Sequence, residues 1–237
     1  MSWLPDLIQA IIALALAITV REVAVGYAAR AMGDSTGTLA GRITLNPIKH
    51  ADPIGTVIFP GILMAGQLAT LGRVDAVFGW PKRMPMDIRQ FHRAPRGDLL
   101  AGLGMVSAAG PLANFFFAWL MALLVWPVGW GLGGMLSADS MQWVYGLLVM
   151  VIRTSILIGL FNLLPIPPLD GGYILAAVLP RELGVPLLHL EKWGGFIVLG
   201  LLIVLPRLGP GLDVIGDLLR PAAAGVLRAV LWAAGHG

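Results

Sequence analysis

The stretch ITVREVAVGYAA, residues 18–29, sets two adjacent ionisable side chains, Arg21 and Glu22, inside an apolar segment. No charged residue lies between Asp6 and Arg21, and none between Glu22 and Arg30. A spanning helix needs about 20 apolar residues, and Leu7 to Ala31 supplies such a run. An ionisable pair at that depth is expensive, and it marks a functional site or the remains of one.

The surrounding chain supports a membrane setting. Of its 237 residues, 57% are hydrophobic and 12% charged, with a mean hydropathy of +0.83. Soluble domains carry about 25% charged residues. This chain lacks the charge to clothe a water-facing surface, so it reads as one integral-membrane domain, 1–237. The absence of cysteine excludes disulfides, thiolate catalysis and Cys-ligated zinc. Six of the sixteen Lys and Arg residues lie between Arg73 and Arg96. In a membrane protein this cluster marks a cytoplasmic loop, so the lipid bilayer and not nucleic acid is the expected partner. The N-terminus carries Asp6 and no Lys or Arg before the apolar run, unlike a secretory signal.

Hydropathy gives further candidate spans at Pro53 to Leu71, Leu99 to Trp126, Trp143 to Leu164 and within Leu187 to Leu205. A short run from Tyr173 to Leu179 could begin a broken span. The expected fold class is all-α: a polytopic transmembrane helix bundle of about 5–6 spans, with a broken helix at PIPPLDGG, 165–172. The tail from Leu212 to Trp232 reads as an interfacial amphipathic helix, with packing against the bundle as the alternative. Residues 131–140 hold no Lys or Arg and should face away from the cytoplasm. The loop from Gly72 to Asp98 should be cytoplasmic, and alternation then puts the N-terminus in the cytoplasm as well.

Three motifs carry chemistry. In NLLPIPPLDGG (162–172), Pro165, Pro167 and Pro168 cannot continue a regular helix. Irregular backbone at membrane depth is tolerated where protein buries it or a wet cavity borders it. Asp170 in that stretch needs a metal, a cation or backbone donors; a helix-capping role just outside the membrane is the alternative. In GPLAN (110–114), Gly110 permits close helix approach and Asn114 can hydrogen-bond across helices. In R-E-V-A-V (21–25), positions 21 and 25 share one helix face. An H-E-x-x-H at this place would bind zinc through its histidines with Glu as general base, but here only Glu22 remains.

With these motifs together, the chain resembles the site-2 protease family of intramembrane zinc metalloproteases, in its small prokaryotic form. The resemblance rests on GYAARAMGD (26–34), GRITLNPIKHADPIGTVIFP (41–60), GWPKRMPM (79–86), GPLAN and FNLLPIPPLDGGYIL (161–175). It implies helices around a buried zinc whose ligand positions are Arg21, Val25 and Asp170, with Glu22 at the general-base position. It implies that Asn162 holds substrate or oxyanion. It also implies that the loop carrying Gly79, Trp80, Lys82, Met84 and Met86 adds a strand to an extended substrate segment.

Valine cannot coordinate zinc, and a protonated arginine offers no lone pair. Two carboxylates fall short of the three protein ligands a catalytic zinc normally keeps. His50, His92, His189 and His236 read as local-structure or surface residues. No cofactor is therefore expected; zinc belongs to the family and to an alternative in which displaced ligands keep an active metalloprotease. The favoured expectation is a zinc-free pseudoprotease, multi-pass in the bacterial cytoplasmic membrane, binding transmembrane or extended peptide segments of membrane proteins. In it Arg21 replaces the metal's charge against Asp170 and Glu22. A transporter or channel is the third reading, resting on Arg21, the broken segment and Arg153, which lies about 13 Å along a helix from Asn162.

Overall fold

A computed structural model describes residues 3–132, 134–209 and 211–236. Among them every regular element is helical. The helices are α1 (Trp3–Met32), the short α2 (Thr36–Leu39), α3 (Phe59–Leu71), α4 (Leu99–Leu132), α5 (Ala138–Asn162), α6 (Asp170–Val178), α7 (Arg181–Leu188), α8 (Glu191–Leu199), the short α9 (Leu205–Leu208) and α10 (Val214–Ala233). Four helical stretches, beginning at Trp3, Pro53, Leu99 and Ala138, are long and apolar enough to cross a membrane. A fifth arises if α7 and the stretch Glu191–Leu202, bent by 65° at their break, count as one span.

Sequence explains why α1 is the central helix. After Pro5 in its first turn it is rich in Leu, Ala and Ile, with no further proline and no glycine before Gly26. Ala10, Ala13, Leu14, Ala17 and Ile18 recur at helical spacing and are fully or nearly fully buried. Alanine at three of those positions lets neighbouring helices approach closely. Val151, Ile158 and Phe161 of α5 join the same core.

The helices run in fixed senses. Gln9 Nε2 donates to Trp143 O at 2.9 Å, and Arg21 reaches Asn162, so α1 and α5 run parallel. α4 is antiparallel to both: Gly110 lies against Arg21 and Val25, and Gly129 against Tyr145. The N-terminus and residues 134–140 therefore share one end of the bundle. This corrects the alternation argument, which put them on opposite sides.

The reason is the segment between α1 and α4. α3 ends at Gly72, whose φ of 70° is the left-handed turn that glycine adopts without strain. The chain then doubles back. Gln67 clamps the turn, accepting from Asp75 N at 2.9 Å and donating to Ala76 O at 2.8 Å. Val74, Val77 and Phe78 pack into the α1–α5 core on the way. Trp80 returns to the start of the hairpin, its N–H donating to Gly55 O at 3.0 Å. Arg73 consequently lies near Asp6 and Gln9, around one cavity of about 170 Å³. Arg93 lies at the other end, its N–H donating to Met32 O. The basic stretch is not one loop on one side: Arg73 belongs to the end near the N-terminus, and residues 82–96 to the other.

Placing single cysteines tests this. By the positive-charge bias, the end carrying residues 82–96 is expected to be cytoplasmic. A membrane-impermeant thiol reagent on intact cells should label Trp3→Cys and Ser137→Cys and leave Gln90→Cys unlabelled. Labelling of Ser137→Cys alone, with Trp3→Cys and Gln90→Cys both protected, would restore simple alternation.

The C-terminal tail packs against the bundle, the alternative to the interfacial reading. Val230 and Ala234 join Ala118, Ala122, Ile152 and Ile156 in a core of their own. Trp126 Nε1 donates to Ala234 O at 3.2 Å.

Candidate functional site

Three elements meet where the motifs predict chemistry. Arg21 and Glu22 project from the middle of α1. Asn162 is the last residue of α5. Asp170 opens α6, directly after the proline-broken connection. Gly110 of α4 makes the meeting possible. A Cβ there would stand 3.2 Å from Arg21 Cγ, from Val25 Cγ2 and from Asp170 Oδ2 alike. The side chains at 21, 25 and 170 thus converge on one glycine.

Arg21 is the hub. Its Nη2 donates to Asp170 Oδ2 at 2.5 Å and to Asn162 Oδ1 at 3.3 Å, and its Nη1 donates to Glu22 Oε1. Asn162 is oriented by its own Nδ2, which donates to Ile158 O at 2.8 Å. Glu22 is completely buried; Arg21, Asn162 and Asp170 are nearly so. Arg21 Nε and Glu22 Oε2 are buried without a partner. A void of about 20 Å³, room for one water, is bordered by Arg21, Glu22, Val25 and Asp170.

Comparisons with known proteins place the chain in a family. The model of peptidase family M50 matches residues 127–205. "Putative zinc metalloprotease YwhC" of Bacillus subtilis (strain 168) is 38% identical over 197 residues, which is 83% of this chain and 80% of that protein. The chain belongs to peptidase family M50, the site-2 proteases. No solved structure matches it.

The M50 metal does not fit this donor set. Of the three positions that the resemblance assigns to metal ligands only Asp170 can coordinate, and its Oδ2 is taken by Arg21. Val25 packs with Ala29, Met84, Leu103, Val106 and Tyr173 as an apolar side chain. Among the described residues no group of three or more His, Cys, Asp or Glu side chains could hold a metal ion. Three of the four histidines are engaged elsewhere, and His189 is exposed. His50 is fully buried, with Nε2 2.7 Å from Thr44 O, so Nε2 carries the proton. Burial lowers its pKa below the ordinary histidine value. His92 bonds Gln90 O, and His236 bonds Ala122 O.

The M50 loop expected to add a strand is extended, with alternating backbone use. Trp80 N–H donates to Gly55 O and Lys82 N–H to His50 O; Thr56 and Arg42 donate to Trp80 O and Lys82 O. Among the described residues the backbone groups of Gly79, Pro81 and Arg83, on the other edge, make no hydrogen bond, and Gly79 and Pro81 are buried. Trp80 lines a cavity of about 190 Å³ beside Arg21 and Asn162. Lys82 is exposed. Met84 and Met86 instead close over the small void at Glu22 and Asp170.

Sequence reasoning missed Arg83 in this loop. Its Nη1 donates to Glu191 Oε1 at 2.8 Å and its Nη2 to Tyr173 Oη at 2.7 Å, tying the loop to α6 and α8. The signal was present in GWPKRMPM, where Arg83 stands between Lys82 and Met84, the two neighbours that the reading of the loop did take up. Asn114 differs from expectation in another way: it is fully buried, and neither amide atom finds a partner. Arg153 borders the cavity that holds Asp6 and Arg73, which shares no lining residue with the cavity beside Arg21.

Proposed function

We propose that this M50 membrane protein is a zinc-free pseudoprotease of the bacterial cytoplasmic membrane. It binds transmembrane or extended peptide segments of membrane proteins and does not cut them. The observation that carries this reading is the ion pairing of Arg21 with Asp170 and Glu22. A guanidinium supplies permanent positive charge and up to five donors. It therefore offsets the two carboxylates that would otherwise stand unpaired in a buried site. It cannot lower the pKa of a water toward 7, as catalytic zinc does, so Glu22 has no activated nucleophile to serve. The cavity of about 190 Å³ that Trp80 and Pro81 border beside Arg21 and Asn162 supports the binding half of the reading, because a mostly apolar cleft can hold a segment of another chain.

Elemental analysis tests the proposal. Protein purified without added metal should hold well under one zinc per chain, and its melting temperature in detergent should not move on chelation. One tightly held zinc per chain, surviving brief chelation, would establish displaced ligands and an M50 metallopeptidase instead.

A further inference from the structure

We propose that the segment 39–49 and three lysines form a patch that binds anionic phospholipid, with Leu39, Leu45 and Ile48 in the acyl region and Lys49, Lys82 and Lys192 on the headgroups. The inference goes beyond the pseudoprotease reading and does not rest on it.

The chain between α2 and α3 holds its apolar side chains outward. Leu39, Leu45 and Ile48 are 86%, 77% and 80% exposed. Its polar groups turn inward. Asn46 N–H donates to Thr44 Oγ1, and Ile48 N–H to Asn46 Oδ1. His50, fully buried, donates to Thr44 O, and Arg42, buried too, donates to Lys82 O at 2.7 Å. A loop that bonds its own polar groups can lie against lipid, where an unpaired one is costly. The exposed aliphatic surface continues into Ile54, Val57, Ile58 and Ile62 of the apolar span Pro53–Leu71. The lipid that covers that span therefore extends to the loop.

The charge fits the same partner. The chain has three lysines, Lys49, Lys82 and Lys192, and all lie at this end. Lys82 N–H donates to His50 O at 2.8 Å, beside Lys49. Lys192 follows Glu191, which accepts from Arg83, the neighbour of Lys82. All three lysines are exposed, and among the described residues none makes an ion pair. The carboxylates nearest them in sequence are engaged. Asp52 accepts from Ile54 N–H and Gly55 N–H, Asp87 pairs with Arg89, and Glu191 pairs with Arg83. Unpaired ammonium groups beside an apolar surface match an anionic leaflet, which attracts basic groups at its boundary. Trp193, exposed next to Lys192, is a side chain that settles at headgroup level. Lys82 lines neither the cavity beside Arg21 nor the void at Glu22, whereas Arg83 lines both. A lipid held by Lys82 thus braces, from outside, the loop that borders the site.

Native mass spectrometry of the full chain in neutral detergent tests the lysines, with phosphatidylglycerol and phosphatidylcholine of the same acyl chains offered in equal amount. Phosphatidylglycerol should be retained about tenfold over phosphatidylcholine, less than three lysines at an anionic surface can supply. Lys49→Gln, Lys82→Gln and Lys192→Gln together should abolish the preference. Arg73→Gln, Arg153→Gln and Arg228→Gln together remove as much charge elsewhere and should keep it. Equal retention of both lipids by the parent, or equal loss in the two triple variants, would overturn the lysine patch. A nitroxide at Leu45→Cys of this cysteine-free chain, in bilayer discs, tests the insertion. It should collide with oxygen more than with an aqueous nickel chelate, and the same label at Gln90→Cys should show the reverse. A label at Leu45→Cys as open to the chelate as that at Gln90→Cys would put the loop in water and overturn the insertion. Exclusion of both reagents would mean that a second copy of the chain covers the patch, and would overturn it as well.

Discussion

Arg21→Met should destabilise the detergent-solubilised protein by about 3 to 5 kcal/mol, the usual cost of removing one partner from a buried ion pair. The cost comes from what stays behind. Glu22 is fully buried and Asp170 nearly so, and the partner that Arg21 provides lies between them. Asn162 also loses the donor to its Oδ1. Met fills much of the same volume, so cavity formation contributes little. Adding Glu22→Gln and Asp170→Asn should therefore restore more stability than the separate effects of those changes allow, because the charges vanish together. Unfolding curves of the single, double and triple variants measure the coupling. A variant lacking Arg21 that is as stable as the parent at neutral pH would refute charge replacement.

The second large effect is a gain. Arg21→His combined with Val25→His should raise bound zinc from well under one to about one per chain. Side chains at 21 and 25 lie one helical turn apart on one face. Both already converge with Asp170 around Gly110, with no intervening side chain at that position. Two imidazoles and one carboxylate make the three-ligand set that leaves an open position for water. Zinc should then stabilise the variant by mass action, about 2.7 kcal/mol at a hundredfold excess over Kd. Chelation should reverse the gain. Either single variant should bind far less. A folded double variant that takes up no zinc would mean that the helices have moved from the geometry an M50 metal needs.

Much of this was legible from sequence, for a physical reason. α1, α4 and α5 are long apolar runs, so length and hydropathy locate each of their ends to within six residues. Arg21, Glu22 and Asp170 stood out because charge in such runs is costly. The hairpin was not legible. Its return carries only short apolar pieces around Val74, Val77 and Phe78, below the length that hydropathy detects, and the basic residues flanking them read as a single loop. The tail was ambiguous because an amphipathic face suits a membrane surface and a helix bundle equally. Arg83 escaped because its importance lies in contacts to Tyr173 and Glu191, distant in sequence.

The doubled-back segment also bears on the order of assembly. Extended backbone cannot rest against lipid with its polar groups unpaired. The return segment finds its cover partly on α1, already synthesised, and partly on Phe161, against which Phe78 packs edge-on at 4.4 Å between ring centroids. Phe161 leaves the ribosome more than eighty residues later. A chain truncated at residue 140 should thus leave residues 73–80 open to protease, while the full chain protects them. Synthesis order and burial order diverge here: the second segment made is among the last to be enclosed.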